Sequence, residues 1–298
     1  MNISIMGKGA WGLAMGELLQ TQGHVIRWHD KGDSKLPDQA EMIILALPTQ
    51  VIRGVLPDLP SKAKNIPIVS LSKGIDIQSG QRVSQIVTAL WPGARVAALS
   101  GPSLAGEIRK KVPTAMVAAS LNDDLASEVQ NIFHGPFLRV YRSRDLAGVE
   151  WGGALKNIYA LAAGMCAGLG LGENSLAGLV TRSLTEMTRI AVHFGAQEQT
   201  LHGLSGMGDL VLTSYSRASR NRRVGERLGA GDPLEKALAS VEGICEGVPS
   251  TEALHRILQS QKIDAPVAEE LYQVIFKSKP PKEALLSLLA RDPREERG

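Results

Sequence analysis

Cysteine is scarce in this 298-residue sequence: only Cys166 and Cys245 occur, each alone and outside any CxxC pair. That excludes a disulfide framework and points to a reducing compartment. The six histidines are scattered, with no HxxxH or HxH spacing, so no zinc or other metal site is expected. Any hard chemistry then falls to an organic cofactor. Long apolar runs are missing, and the opening MNISIMG has no basic region. Neither signal peptide nor membrane span is expected, and a cytoplasmic location follows. Internal repeats and low-complexity tracts are also lacking. The charge excess is small, +3 with a pI of about 8.8, which suits a small anionic ligand. The one short basic run, SRNRR (219–223), has none of the interleaved aromatics of a nucleic-acid surface, so no nucleic-acid partner is expected.

With 44% hydrophobic and 21% charged residues, the chain has ordinary globular composition and room for two domains. Its halves follow different periods. Short β-rich runs fall at 3–6, 24–28, 42–47, 66–71, 95–99, 114–119 and 137–141, with helical patterns such as 11–22 and 79–90 between them. This alternation predicts an α/β fold, a Rossmann-type doubly wound parallel sheet over residues 1–145. Beyond that, apolar residues recur at helical spacing in 149–169, 175–194, 221–229, 248–259, 266–276 and 282–290, predicting an all-helical domain over 146–290. Residues 291–298 form a charged tail.

ISIMGKGAWG places Gly7, Gly9 and Gly12 in G-x-G-x-x-G spacing, directly after a strand and opening a helix. That is the context of a dinucleotide turn: Gly7 for the tight turn, Gly9 for approach of a pyrophosphate, Gly12 for helix–strand packing. An acid about 20 residues on would bind a ribose 2′-hydroxyl, and Asp30 is placed for it. Arg27, His29, Lys31 and Lys35 crowd the same region and suit a 2′-phosphate. NADH and NADPH both remain open, and use of both with modest discrimination is expected.

Further on, GVEWGGALKNIYALAAG (148–164) holds a single lysine, Lys156, in a stretch that reads as buried helix. A buried ammonium costs several kcal/mol unless paired. Either Lys156 snorkels to water or a site requires it. Lys73 follows a strand in LSKGI, at the end where ligands of open α/β sheets gather. Asp209, in GMGDLVL between a glycine turn and an apolar run, reads by itself as a turn or cap residue. Ser219 is a plausible N-cap, and Arg220 after it opposes the helix dipole unless an anion is bound there. Glu246 could cap a helix beginning near Val248. Cys166 and Cys245 read as small packing residues.

Taken together, GKGAWG (7–12), LSKGI (71–75), SGPSLAGEI (100–108), GVEWGGALKNIYALAAGM (148–165), GLSGMGDLVLT (203–213), SRNRRVGERLG (219–229) and EGICEGVPST (242–251) resemble, in order and spacing, the bacterial-type NAD(P)-dependent glycerol-3-phosphate dehydrogenases. The resemblance covers nearly the whole chain. It implies NADH or NADPH as cofactor and a small phosphorylated substrate, with dihydroxyacetone phosphate and sn-glycerol 3-phosphate interconverted for phospholipid synthesis. It implies catalytic roles for Lys156, Lys73 and Asp209. Dinucleotide contacts would come from Gly7, Gly9, Ala10, Trp11, Gly12, Lys73, Ala105, Arg220, Ile244 and Glu246. Substrate contacts would come from Lys73, Gly101, Ser103, Lys156, Asp209, Ser219, Arg220 and Asn221. A homodimer is a further expectation. One departure stands out: only about a dozen residues separate Asp30 from MIILAL, fewer than the family usually has, so the adenosine side of the pocket is abbreviated. Two other readings are a similar dehydrogenase acting on a carboxylate-bearing keto acid and a non-catalytic dinucleotide sensor. SRNRR argues against the first, and the joint presence of Lys156, Lys73 and Asp209 against the second.

Overall fold

The computed structural model describes residues 1–30, 39–293, 295 and 296; Lys31 and Lys35 lie outside the described residues. Seven strands, β1 (Asn2–Met6), β2 (Val25–His29), β3 (Met42–Leu45), β4 (Ile68–Ser70), β5 (Val96–Ser100), β6 (Thr114–Ser120) and β7 (Leu138–Ser143), form one sheet in the order β2-β1-β3-β4-β5-β6-β7. All neighbours run parallel except β5 and β6. That one antiparallel pair departs from the all-parallel expectation. The link 101–113 turns the chain back at the carboxyl end of β5 and carries only a five-residue helix.

The central strands β3, β4 and β5 are buried along their whole length because both faces of the sheet are covered there, whereas the edge strands β2 and β7 alternate. Met42 and Ile44 of β3 face one core, shared with Met15 and Leu19 of α1 (Ala10–Thr21). Ile43 and Leu45 face the other, shared with Ile52 of α2 (Thr49–Val55) and Ile86 of α3 (Val83–Leu90). The helix α4 (Ala105–Arg109) and α5 (Asp123–Phe133) complete this half, α5 capped by the Asn122 side chain accepting from Leu125 N–H at 2.8 Å. Because β2 and β3 flank β1, the strand order reverses there, and the carboxyl ends of β1 and β3 border the switch-point crevice where such sheets bind ligands.

After β7 the chain is helical: α6 (Leu146–Gly168), α7 (Glu173–His193), α8 (Glu198–Leu201), α9 (Asp209–Tyr215), α10 (Arg220–Gly229), α11 (Leu234–Ala239), α12 (Gly247–Gln261), α13 (Pro266–Lys277) and α14 (Pro281–Leu289). Every residue of α6 from Gly148 to Cys166 is buried. A helix apolar all round belongs in the middle of a core, and α6 packs against α7, α9, α10, α12 and α13, with β5 at its start. Its small residues set how closely neighbours approach. A side chain at Gly225 of α10 would collide with the Leu161 carbonyl oxygen, and one at Gly229 with that of Met165. These two helices therefore touch backbone to backbone and run parallel, which fixes the N-terminus of α10 beside residue 157. No helix among the described residues is long and apolar enough to cross a membrane.

Candidate active site

The glycine turn lies at the switch point. Gly7 has φ of +108°, and a Cβ there would stand 2.5 Å from the Ala46 carbonyl oxygen just past β3, so glycine is required twice over. At Gly9 a Cβ would meet nothing within 4 Å, which leaves the backbone open to a ligand. Gly9 is the N-cap of α1 with no side-chain cap, and the first turn has no acid, so its N–H groups are available to an anion. Ala10 and Trp11 begin that helix, and the buried Trp11 indole N–H finds no partner among the described residues. Open backbone, uncapped helix and unpaired donor all fit a dinucleotide pyrophosphate.

Across the crevice, Asp209 is the hub of the charged groups. It is fully buried, and its two oxygens divide between two ammonium groups: Lys73 Nζ at 2.6 Å from Oδ2 and Lys156 Nζ at 3.0 Å from Oδ1. Lys73 also donates to the Gly101 carbonyl at 3.0 Å, which joins the ends of β4 and β5. Lys156 donates to Thr213 Oγ1 at 2.8 Å, and Thr213 donates in turn to Asp209 Oδ1 at 3.2 Å. Lys156 is only 7% exposed, so it does not snorkel. Asp209 opens α9, but its carboxylate faces the lysines and caps nothing.

The electrostatics follow from burial and count. Burial lowers the Lys156 pKa to about 8; Asp209 opposes that, and the Lys73 and Arg220 charges add to it. For Asp209, burial pushes upward, but the two lysines overcome it and hold the carboxyl below its ordinary value. One carboxylate thus serves two cations, Lys73 and Lys156, and the trio keeps an excess of positive charge.

Ser219 caps α10 as its sequence implies, its Oγ accepting from Arg222 N–H at 3.2 Å. Arg220 is the first helical residue, exposed, with no acid in its turn to offset it. It leans on Gly243, whose Cβ would stand 2.9 Å from a guanidinium nitrogen, and so comes next to Ile244, which is half exposed. Asn221 is buried and occupied: its Nδ2 donates to Asn157 Oδ1 at 2.8 Å, while its Oδ1 accepts from Gly247 N–H and the Cys245 thiol, both at 3.0 Å. Asn157 in turn donates to the Lys73 carbonyl at 2.8 Å. One chain of amides therefore ties α6, α10, the start of α12 and the Lys73 loop together. The Cys245 thiol is pushed up to about 11 by burial.

Glu246 stands at the N-cap position of α12, but its side chain makes no cap hydrogen bond. One of its oxygens accepts from Thr49 N–H of α2 at 3.2 Å; the other is buried with no partner among the described residues, 2.5 Å from where a Gly74 Cβ would be. Burial raises it to about 7 against the pull of Thr49 and Arg220. Arg220 thus acts on both Lys156 and Glu246. Ser103 donates to Gly101 at 2.9 Å, and Ala105 opens α4 beside it. Two participants were missed in the sequence. Thr213 is four residues after Asp209 and so on the same helix face, a spacing that could have revealed it. Asn157 adjoins Lys156 but points to a different neighbour, which only the packing shows.

A glycine turn at the switch point of a Rossmann-type sheet, with Lys73 from the carboxyl end of the same sheet and Lys156 from the helical half sharing one buried carboxylate, defines a dinucleotide-dependent oxidoreductase. Residues 33–126 match the NAD-dependent glycerol-3-phosphate dehydrogenase N-terminus and residues 145–286 its C-terminus. The chain belongs to this family. It is 39% identical to glycerol-3-phosphate dehydrogenase [NAD(P)+] of Syntrophotalea carbinolica and 39% to that of Geobacter metallireducens, each alignment covering 99% of both chains. The crystal structure of glycerol-3-phosphate dehydrogenase from Coxiella burnetii superposes with a TM-score of 0.91 at 31% identity, covering 97% of this chain and 99% of that one. A 2-dehydropantoate 2-reductase from Methylococcus capsulatus, at TM-score 0.57 and 14% identity, shares the fold alone.

Proposed function

We propose that the chain interconverts dihydroxyacetone phosphate and sn-glycerol 3-phosphate with NADH or NADPH, and that glycerol 3-phosphate so formed supplies phospholipid synthesis. The observation that carries the site assignment is the Lys156–Asp209–Lys73 cluster, centred on a fully buried carboxylate at the carboxyl end of the sheet that bears the glycine turn. The reading divides the chain into a dinucleotide domain (1–145), a substrate domain (146–290) and a charged tail (291–298). When bound, the reduced nicotinamide supplies the hydride that adds to substrate C2.

Lys156 holds the proton destined for the oxygen on C2. With a pKa near 8 it is protonated at neutral pH yet gives the proton up readily. Asp209 keeps it charged in spite of burial and fixes the Nζ position together with Thr213. Lys73 adds positive field at the same oxygen and is held in place by Gly101 and Asp209. Arg220, Ser219 and the first-turn N–H groups of α10 take the phosphate, with Asn221 aligned by Asn157. Gly101 and Ser103 border the substrate. The backbone of Gly7 to Gly12, with Trp11, seats the pyrophosphate, while Ala105, Ile244 and Glu246 border the dinucleotide. The excess positive charge of the cluster complements a phosphate dianion and gives a lone carboxylate less.

Replacing Lys156 by Met keeps the stem and removes the donor. The expected result is a loss in kcat of at least about 10²-fold, followed by reduced-nicotinamide absorbance with dihydroxyacetone phosphate. Dinucleotide affinity should hold, and the stability loss should stay below the cost of a broken buried pair, about 3–5 kcal/mol, because Asp209 keeps Lys73 at 2.6 Å. Near-normal turnover by the folded variant would remove Lys156 from the chemistry.

A further inference from the structure

The glycine turn carries a cation that its motif does not ask for. The residue between the first two glycines of G-x-G-x-x-G is unrestricted; here it is Lys8, and it is exposed. Its neighbours give that charge a use. Gly7 N–H donates to the His29 carbonyl at 2.9 Å, and Met6 pairs with His29 in the sheet, so the turn is fastened to the carboxyl end of β2. At that end of such sheets the adenosine ribose is read: an acid takes a 2′-hydroxyl, a cation takes a 2′-phosphate. Asp30 is there, and Arg27 is exposed two residues before the strand ends. Adjacent strands lie about 4.8 Å apart, a gap that the flexible four-carbon stem of a lysine spans. No ion pair among the described residues engages Lys8. The abbreviated connection from β2 to β3 makes a contact supplied from the turn itself more valuable.

We infer that Lys8 is a specificity-determining residue that pairs with the 2′-phosphate of NADPH and offsets the preference of Asp30 for the 2′-hydroxyl of NADH. The inference rests on the seating of the dinucleotide on the glycine turn proposed above.

The test is direct binding, independent of turnover. NADPH and NADH are titrated by nicotinamide fluorescence into the parent protein, Lys8→Ala, Lys8→Arg and Gly9→Val. Lys8→Ala should weaken NADPH about tenfold, the low end for a charge-assisted contact at an exposed position, and leave NADH within about twofold. Lys8→Arg should keep the NADPH affinity. Equal losses for the two dinucleotides would place Lys8 on the pyrophosphate and overturn the inference; no loss for either would do the same. Gly9→Val checks the seat separately. Gly9 has an ordinary extended backbone, and a Cβ there meets nothing within 4 Å, so the turn accepts a side chain at the cost of a poorer N-cap. The variant should bind both dinucleotides more weakly, and undiminished binding of both would bring down the seat and the inference with it.

Discussion

Replacing Asp209 by Asn tests the electrostatic argument at its centre. The amide has the shape of the carboxylate but not its charge, and Asp209 is fully buried with ammonium groups at 2.6 and 3.0 Å. Breaking a buried ion pair by removing one partner costs about 3–5 kcal/mol. Here the loss should fall near the lower figure, because Lys156 has an escape. Its pKa is about 8 with Asp209 opposing the effect of burial. Without that carboxylate it falls further, and Lys156 sheds its proton near neutral pH and no longer carries an unpaired charge. Catalysis should register the same event. In the parent, reduction of dihydroxyacetone phosphate needs Lys156 protonated, so kcat/KM should fall as pH rises through about 8. In Asp209→Asn that descending limb should move to lower pH. In the reverse direction, where neutral Lys156 accepts a proton, the ascending limb should move the same way. Initial rates across the neutral and alkaline range, paired with urea unfolding, measure both effects. A limb that stays in place or moves to higher pH would refute the account of what holds the Lys156 proton.

Two further substitutions probe the substrate side. Arg220→Ala should raise the KM for dihydroxyacetone phosphate by an amount equivalent to about 1.5–3 kcal/mol, the worth of a charge-assisted contact. Dinucleotide affinity should be titrated separately because Arg220 also acts on Glu246, and unchanged KM and kcat would put the phosphate elsewhere. Gly225→Ala forces a methyl group into the Leu161 carbonyl oxygen, so α10 must shift away from α6. Overpacking of this kind costs about 1–3 kcal/mol, and the displaced helix start should raise the KM for the phosphorylated substrate more than it weakens the dinucleotide. A variant with parental urea midpoint and KM would show that this contact does not position α10.

All seven strands were legible in the sequence, central ones such as MIIL of β3 as apolar runs covered on both faces, and the edge strands β2 and β7 as β-rich runs whose burial alternates. The six principal helices of the second half were legible by periodicity. The α3 pattern read back to residue 79, yet the helix starts at Val83. Gly80 takes a left-handed φ of +68°, and Asp76 accepts from both the Ser79 N–H and its hydroxyl, which draws those residues into a turn. The direction of β6 was not legible, since parallel and antiparallel strands share one pattern. At the site, the misfit of a lone lysine in an apolar helix was visible without any structure. That Lys156 and Lys73 meet on Asp209, and that Asn157 aligns Asn221, depends on long-range packing that no local spacing encodes.

The burial of α6 has a consequence for how the protein opens. The helix contains five glycines, at 148, 152, 153, 164 and 168, each weakening its intrinsic helicity by about 1 kcal/mol relative to alanine. Alone in water it would be coil; its neighbours make it a helix. A segment with that dependence and no surface of its own cannot fray or detach while α7, α9, α10, α12 and α13 stay packed around it. Its amides therefore exchange with solvent only when the helical half of the molecule opens as one unit. Lys156 and Asn157 ride on that segment, so the protein has no partly unfolded form in which the proton donor is misplaced and the rest of the helical half is sound.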